Sequence, residues 1–394
     1  MAYRFSPEII LHYFLKKEST QFFVSVAIRY LAIGLVGIYE PIYIYLFFNK
    51  SITFSLLFWA SIYGLFALLA VWAGKIMGRL GLKHSMLVSH FFFFGYYLSL
   101  FFLKEIPQLI LPAILLRVAG MTFFWPAFHT AFVRFSQKDH RAVQVGKLNA
   151  IAPIASIISP IAGGLILQNF GYLVLFIIVM FLLLASAFPL FLSKERHEVY
   201  TDTYNKAWQR ILKNKKFDIG FASRAIESST NMFIWPIFMF ILGINYERMG
   251  EITSFALLLS ALFALYMGKL TDKEDKERLV GIGSVLLSLA WIIKCFVKDT
   301  LSAFLAHNFH RIAITSATTP FLTIVYDEAS TQKDKADEFI VYRSIVLNLT
   351  KLFYFLFLAL VFCFIKDLRF AFIIASIASL CLIMTTKRKL SSLR

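Results

Sequence analysis

Acidic residues are scarce in this 394-residue chain: 23 Asp and Glu stand against 40 Lys and Arg, and charged residues of either sign make up only 16%. A soluble fold carries about 25% charged residues and roughly 45–50% apolar ones. With 59% hydrophobic residues and a mean hydropathy of +0.71, a soluble globular protein is excluded, and so is a disordered one. Cysteine is nearly missing. Cys295, Cys363 and Cys381 lie in apolar stretches without zinc or redox spacing, so they read as small core residues and no disulfide framework or metal site is expected. No Gly-x-x-x-x-Gly-Lys-Ser/Thr run occurs, so no nucleotide-binding loop and no cofactor is expected. The first twenty residues carry Glu8, Lys16, Lys17 and Glu18 and no small-residue cleavage site, which reads as an amphipathic surface segment rather than a secretory signal.

What the chain has instead is long apolar runs. A membrane helix needs about 20 mostly apolar residues, and twelve such spans are expected, at 19–48, 52–74, 85–104, 107–133, 146–168, 171–193, 219–244, 250–268, 279–297, 299–326, 339–365 and 367–386. They leave no room for a soluble catalytic domain, so no enzyme is expected. The net charge of +17 would suit nucleic acid, but the basic residues fall in short runs between the spans. With the N-terminus inside, 27 of them lie on the cytoplasmic side, seven (Lys50, Lys104, Arg248, Lys294, Lys298, Lys366 and Arg369) on the other, and six deep within spans. That asymmetry predicts a multi-pass protein of the plasma (inner) membrane with both termini cytoplasmic, and no nucleic-acid partner. The expected organisation is a lead-in at 1–18, a six-helix bundle at 19–193, a basic linker at 194–218, a second six-helix bundle at 219–386 and a basic tail at 387–394.

The chain repeats itself at an offset of 194–195 residues. Gly74-Lys75-Ile76 returns as Gly268-Lys269-Leu270, and Arg117, Ala119 and Pro126 return as Arg311, Ala313 and Pro320. Arg29 and Pro41-Ile42 return as Arg224 and Pro236-Ile237, and Gln137-Lys138-Asp139 as Gln332-Lys333-Asp334. Two parallel six-span repeats are one of the transporter architectures. The stretch Gly74-Lys75-Ile76-Met77-Gly78-Arg79-Leu80-Gly81-Leu82-Lys83 is similar to the loop motif of the major facilitator superfamily, with Gly78 where that family usually has Asp. In the second copy Asp272 takes the corresponding place. The resemblance covers nearly the whole chain. It implies an all-α fold of two pseudo-symmetric six-helix halves, with a gating loop at Gly74, Arg79, Gly81 and Lys83 and its counterpart at Gly268 and Asp272. Span 5 carries Ala155-x-x-x-Ser159-Pro160-x-x-Gly163-Gly164, which is similar to the family's antiporter motif and equally fits tight helix packing.

An ionised group at mid-bilayer costs at least about 2.5–3.5 kcal/mol, so each charge inside a span asks for a function. The cations are Arg29, Arg117, Arg224, Arg311, Arg343 and Lys351, and the acids only Glu40 and Glu227. The excess of cations asks for an anion. Arg29 and Glu40, eleven residues apart, are expected within about 20° on one helix face and about 16 Å apart in depth, both lining a cavity. Span 4 brings Arg117 to the depth of Glu40, which predicts a contact between them, and Arg224 and Glu227 are spaced to touch. In the family resembled, spans 1 and 7 face each other, so Arg29 and Arg224 would form a fork for one phosphate or carboxylate, or else snorkel to the membrane surface. Arg117, Arg311, Trp125 and Trp235 complete the expected substrate site. Glu40, Glu227, His129 and His310 are the candidates for proton coupling, whereas His90 reads as a packed residue.

The function expected is a secondary transporter moving a small solute by alternating access, an organic anion with proton or anion coupling. A proton-driven exporter of hydrophobic compounds or lipids is the alternative, favoured by the aromatic load and span 5. A membrane-embedded transferase and a non-transporting receptor of the same fold fit less well, the former because the histidines are scattered. The expected partners are a small-molecule substrate, the bilayer and coupling protons, with the protein as a monomer.

Overall fold

In the computed structural model the described residues are 18–135, 154–191, 203–331 and 336–385. The lead-in, the tail, the first part of span 5 and the Gln-Lys-Asp tripeptides of the repeat lie outside them. Within them the chain is all-helical and makes twelve crossings. Taken singly, six helices are long and apolar enough to cross a bilayer; the other crossings are bent, interrupted, merged with a neighbour or more polar.

Span 1 is two helices, Glu18–Val36 and Glu40–Phe47, bent by 41° at Gly37-Ile38-Tyr39. Spans 2, 3 and 4 are Ile52–Leu80, Leu82–Phe101 and Ile110–Phe135. Spans 5 and 6 run together as Ser159–Phe191, reversing at Gly171, whose φ of +78° only glycine adopts freely. Span 7 begins with Lys215–Ser229, passes through a π turn at Thr230–Ile234 and continues as Trp235–Ile241. Spans 8 to 11 are Tyr246–Lys273, Lys276–Cys295, Thr300–Thr331 and Ala336–Val361, and span 12 is Arg369–Cys381 with a last turn at Leu382–Thr385.

The repeat reaches into the backbone. Asn49 and Gly243, 194 residues apart, both take positive φ after spans 1 and 7. Two residues on, Ser51 accepts from the Phe54 N–H to cap span 2, and Asn245 accepts from the Arg248 N–H at 2.9 Å to cap span 8. Side-chain oxygens of this kind satisfy N–H groups that a helix start leaves open.

Two seams join the halves. Spans 2 and 11 pack along their length, from Thr53 beside Cys363 at one end to Ala70 and Val71 against Val341 and Ile345 at the other. Spans 5 and 8 cross closely because their contact residues are small. A Cβ added at Gly164 would stand 2.5 Å from the Tyr246 carbonyl oxygen, and one at Gly250 would stand 2.4 Å from that of Pro160. The Tyr39 hydroxyl lies between these same carbonyls, 2.7 Å from Pro160 and 3.0 Å from Tyr246. The glycines of span 5 therefore seat spans 1 and 8, which accounts for the motif by packing. On the side of the termini, a linker helix at Tyr204–Lys213 lays buried Ala207 against the Val71 and Val341 cluster. It hydrogen-bonds span 2 through Tyr204 and the Leu68 carbonyl, and pairs with span 11 through Arg210 and Glu338.

Candidate functional site

A cavity of about 340 Å³ lies between the halves, within the usual range for a small-ligand site. Tyr39 and the aromatic contact of Trp59 with Phe233, 4.4 Å between ring centroids, close it from the side opposite the termini. Helical spacing explains the walls. Arg117, Met121, Trp125 and His129 recur every fourth residue on one face of span 4, and Ser344, Leu347, Asn348 and Lys351 form one face of span 11 beside Arg343. Span 7 adds Phe221, Arg224, Ser228 and Met232, and spans 1 and 2 add Arg29, Ile33, Tyr63 and Phe66.

Among the described residues, five cations and no acid line this space. Two of the five are answered from behind the wall. Glu40 approaches Arg117 at 3.4 Å and accepts hydrogen bonds from Tyr96 at 3.0 Å and Tyr97 at 2.8 Å. Glu227 pairs with Arg224 one turn away and meets His310 Nε2 at 3.1 Å. The other three, Arg29, Arg343 and Lys351, have no carboxylate within salt-bridge distance among the described residues. Aromatic rings hold two of their heads in place: the Arg29 guanidinium lies 3.8 Å from the Phe124 centroid and 4.2 Å from that of Phe93, and the Lys351 ammonium 4.3 Å from that of Tyr63. Arg29 is 6% exposed and its buried Nη1 has no hydrogen-bond partner, as is true of Nε of Arg343. An unmet buried donor on a cavity wall is a place for an acceptor from outside the chain.

Of the ten expected substrate and coupling residues, Arg29, Arg117, Arg224, Trp125 and His129 line the cavity. Trp125 stacks on His129, whose Nδ1 lies 3.0 Å from the Tyr326 hydroxyl across the gap between spans 4 and 10. The other five do not. Glu40 faces the tyrosines behind the wall, because the bend at Gly37 breaks the helical angle that would have aligned it with Arg29. Trp235 is buried against His307, Phe238 and Phe372, because the π turn before it winds fewer degrees per residue and rotates it away from the face of Arg224. Glu227, His310 and Arg311 lie inside the second half.

Lys294, expected among the exterior charges, is 0% exposed. Its ammonium sits 4.2 and 4.3 Å from the Trp235 and Trp291 ring centroids and donates to Asn231 at 3.2 Å. The lysine is the next-to-last residue of span 9 and its side chain turns inward, which loop-based charge counting does not see. Arg343, Lys351 and Tyr63 are among the cavity residues missing from the expected site; the first two carried a signal, being cations within spans.

The loop motif has the geometry of a tight corner. Gly81 ends span 2 with φ +87° and begins span 3, and Lys83 donates to the Phe191 carbonyl of span 6 at 3.4 Å. Gly74 and Gly268 are buried while Arg79 and Asp272 are exposed.

Two helical halves around a central cavity edged by cations form an architecture suited to membrane transport. The sequence profile of the Major Facilitator Superfamily matches residues 22–221, just over half of the chain, and the chain belongs to that family. Among solved structures, it resembles the fucose:proton symporter of E. coli at a TM-score of 0.64 and 13% identity, over 96% of this chain and 98% of that one. It resembles the human organic anion transporter MFSD10 (TETRAN) at a TM-score of 0.66 and 12% identity, over 93% and 98% of the two chains. At these identities the likeness is one of fold. No curated protein matches the sequence significantly. The family consists of transporters rather than enzymes, and its fold is that of multi-pass secondary transporters.

Proposed function

We propose that this protein is a secondary transporter of a small organic anion, working by alternating access of the halves 19–193 and 219–386 about the linker at 194–218. The observation that carries the reading is the set of unanswered cations in the cavity, Arg29, Arg343 and Lys351. Charges out of water need a partner, and removing the only partner of a buried charge costs about 3–5 kcal/mol. A bound anion supplies that partner. The site differs from a simple fork of Arg29 and Arg224, since Arg224 is already engaged by Glu227; the free cations of spans 1 and 11 take up that role.

Protons are the proposed coupling ion, with Glu40, Glu227, His129 and His310 as the groups that would carry them. The corner at Gly74, Arg79, Gly81 and Lys83 and its counterpart at Gly268 and Asp272 are the proposed gating loops. The proposed setting is the inner membrane, as a monomer with cytoplasmic termini.

The test is thermal unfolding in mild detergent against phosphorylated metabolites, carboxylates, lipophilic cations and lysolipids. Ligands of the folded state raise the midpoint. Stabilisation by anions, lost in Arg29→Ala, supports the reading. Stabilisation by lipophilic cations or lysolipids alone replaces it with export of hydrophobic compounds or lipids. Coupling is tested separately in liposomes: proton-gradient dependence that survives both Glu40→Gln and Glu227→Gln rules out carboxylate coupling.

A further inference from the structure

The linker helix Tyr204–Lys213 belongs to neither bundle, and its surface is divided by angle. Ala207 and Ile211, one turn apart, share a face that packs on Val71 of span 2 and on Val341 and Ile345 of span 11. Beside that face Tyr204, Trp208 and Leu212 recur every fourth residue as a stripe turned outward, with exposures of 44, 57 and 58%. Lys206 and Lys213 project about 150° round the helix from Trp208. Lys215 and Lys216 follow directly, and all four lysines are exposed. No acid occurs from Tyr204 to Lys216.

A hydrogen bond fixes the depth of this helix. Tyr204 donates to the Leu68 carbonyl, which lies sixteen residues, about 24 Å, along span 2 from its start at Ile52. The hydrocarbon core of a bilayer is about 30 Å thick. Lys75, the first charge of span 2, comes seven residues or about 10 Å beyond Leu68. Its ammonium stands 5.5 Å from the Trp72 ring centroid. Tyr204 therefore reaches the edge of the apolar band on the side of the termini, where Leu68 and Trp72 are themselves exposed. Tyrosine and tryptophan gather at that boundary because their rings are apolar at one end and polar at the other. An outward aromatic stripe at this level meets acyl chains, and lysines on the far side of the same helix meet headgroups.

We propose that the linker helix is a binding site for acidic phospholipids of the leaflet on the side of the termini. Tyr204, Trp208 and Leu212 sit among the acyl chains, and Lys206, Lys213, Lys215 and Lys216 meet the headgroup phosphates. Apolar burial and charge attraction add on one helix, as stable surface binding requires. The site is separate from the cavity and stands without the anion reading. Bound lipid also acts on both halves, since the helix is fastened to span 2 by Tyr204 and to span 11 by the pair of Arg210 with Glu338. Lipid held there braces the seam of spans 2 and 11.

The probe is phosphatidylglycerol, compared with phosphatidylcholine of the same acyl chains, added to the full chain in mild detergent. Phosphatidylglycerol is expected to raise the unfolding midpoint more than phosphatidylcholine does. One basic residue at an anionic surface is worth roughly fivefold in affinity. The combined variant Lys206→Gln, Lys213→Gln, Lys215→Gln and Lys216→Gln should therefore weaken phosphatidylglycerol binding by at least about tenfold, with its lipid-free midpoint unchanged. In phosphatidylcholine liposomes, acyl-brominated phosphatidylglycerol should quench a larger fraction of wild-type than of Trp208→Phe tryptophan emission. Equal stabilisation by the two lipids, or a preference that survives loss of the four lysines, overturns the site. So does an equal quenched fraction in wild type and Trp208→Phe, which would put the ring outside the bilayer. A preference lost in Arg29→Ala and kept in the lysine variant moves the lipid into the cavity and overturns the linker site as well. Glycerol 3-phosphate, the headgroup end without acyl chains, is expected to act equally on wild type and the lysine variant; an effect lost in that variant would make the lysines a site for free phosphate esters instead.

Discussion

The two halves place arginines at the same two repeat positions and neutralise opposite members of the pair. In the first half the arginine of span 4, Arg117, receives Glu40, and the arginine of span 1, Arg29, is left to aromatic rings. In the second half the arginine of span 7, Arg224, receives Glu227, and the arginine of span 10, Arg311, has no carboxylate within salt-bridge distance among the described residues. One acid per half, placed at a different point, turns one ancestral pattern into an open cation on the cavity wall and a closed cluster behind it. Lys294, His307 and His310 fill the closed cluster, all fully or almost fully buried. The first half leaves its unpaired repeat arginine on the cavity wall, whereas the second keeps its own behind the wall and lines the cavity with Arg343 and Lys351 of span 11 instead.

The comparison breaks most visibly at the acids. Glu227 is the acid within reach of Arg224, Lys294 and Arg311, whereas Glu40 is paired with Arg117 alone and is braced by two tyrosine hydroxyls. Removing one member of a buried pair costs about 3–5 kcal/mol. Glu227→Gln is therefore expected to lower the unfolding midpoint in detergent more than Glu40→Gln, and Glu227→Gln combined with Lys294→Met to recover part of the loss. Equal losses from the two single substitutions would show that the halves are neutralised alike after all.

The next effect is on ligand rather than fold. Arg29→Ala removes a guanidinium whose Nη1 has no partner among the described residues, at the cost of its contacts with the Phe93 and Phe124 rings, so it is expected to lower unliganded stability by no more than about 0.5–2 kcal/mol. Anion affinity should fall by about 1.5–3 kcal/mol, roughly tenfold to a hundredfold. Arg311→Ala, at the other unanswered repeat position, is expected to do the reverse, because Arg311 does not line the cavity and lies within electrostatic reach of Glu227 in the second half. Isothermal binding and thermal unfolding on the same samples read both quantities.

These contrasts also show which parts of the molecule a sequence can carry. Twelve crossings follow from twelve apolar runs, and the halves follow from coincidences at rare residues such as Arg117 and Arg311. The Glu40–Arg117 contact follows from depth alone, since opposite spans that run in opposite senses bring those positions to one level. What depends on angle is harder. Angular position accumulates along a helix, so the bend at Gly37 and the π turn at Thr230–Ile234 misdirect every residue beyond them, Glu40 and Trp235 among them. Lys294 fails for a different reason: a lysine at the last residues of a helix can point either way, and the Trp235 and Trp291 rings decide it.

The seams between the halves give a smaller effect, on conformation. At the spans 5 and 8 crossing, Gly164→Val places methyl groups where a Cβ alone already meets the Tyr246 carbonyl oxygen and the Tyr39 hydroxyl, at 2.5 and 2.6 Å. Overpacking costs about 1–3 kcal/mol, and here it falls on the closed seam. The variant is expected to raise labelling of a cysteine introduced at Met232 by a membrane-impermeant reagent added from the side opposite the termini, by about tenfold. Unchanged labelling would place the seal in the Trp59 and Phe233 contact instead.

The smallest effect belongs to the other side of the cavity, where His129 and Tyr326 form the contact between spans 4 and 10. A single neutral hydrogen bond is worth about 0.5–1.5 kcal/mol, so Tyr326→Phe should favour opening toward the termini by roughly two- to tenfold, read by the same cysteine from that side. This variant also separates two roles for His129. If the histidine only latches the halves, Tyr326→Phe and His129→Gln change accessibility alike, and neither alters proton-gradient dependence. If His129 carries the coupling proton, Tyr326→Phe leaves coupling in place while His129→Gln abolishes it. The cavity's unanswered cations weigh toward the latch, since a further positive charge beside Arg343 and Arg224 would have to be met by the bound anion itself.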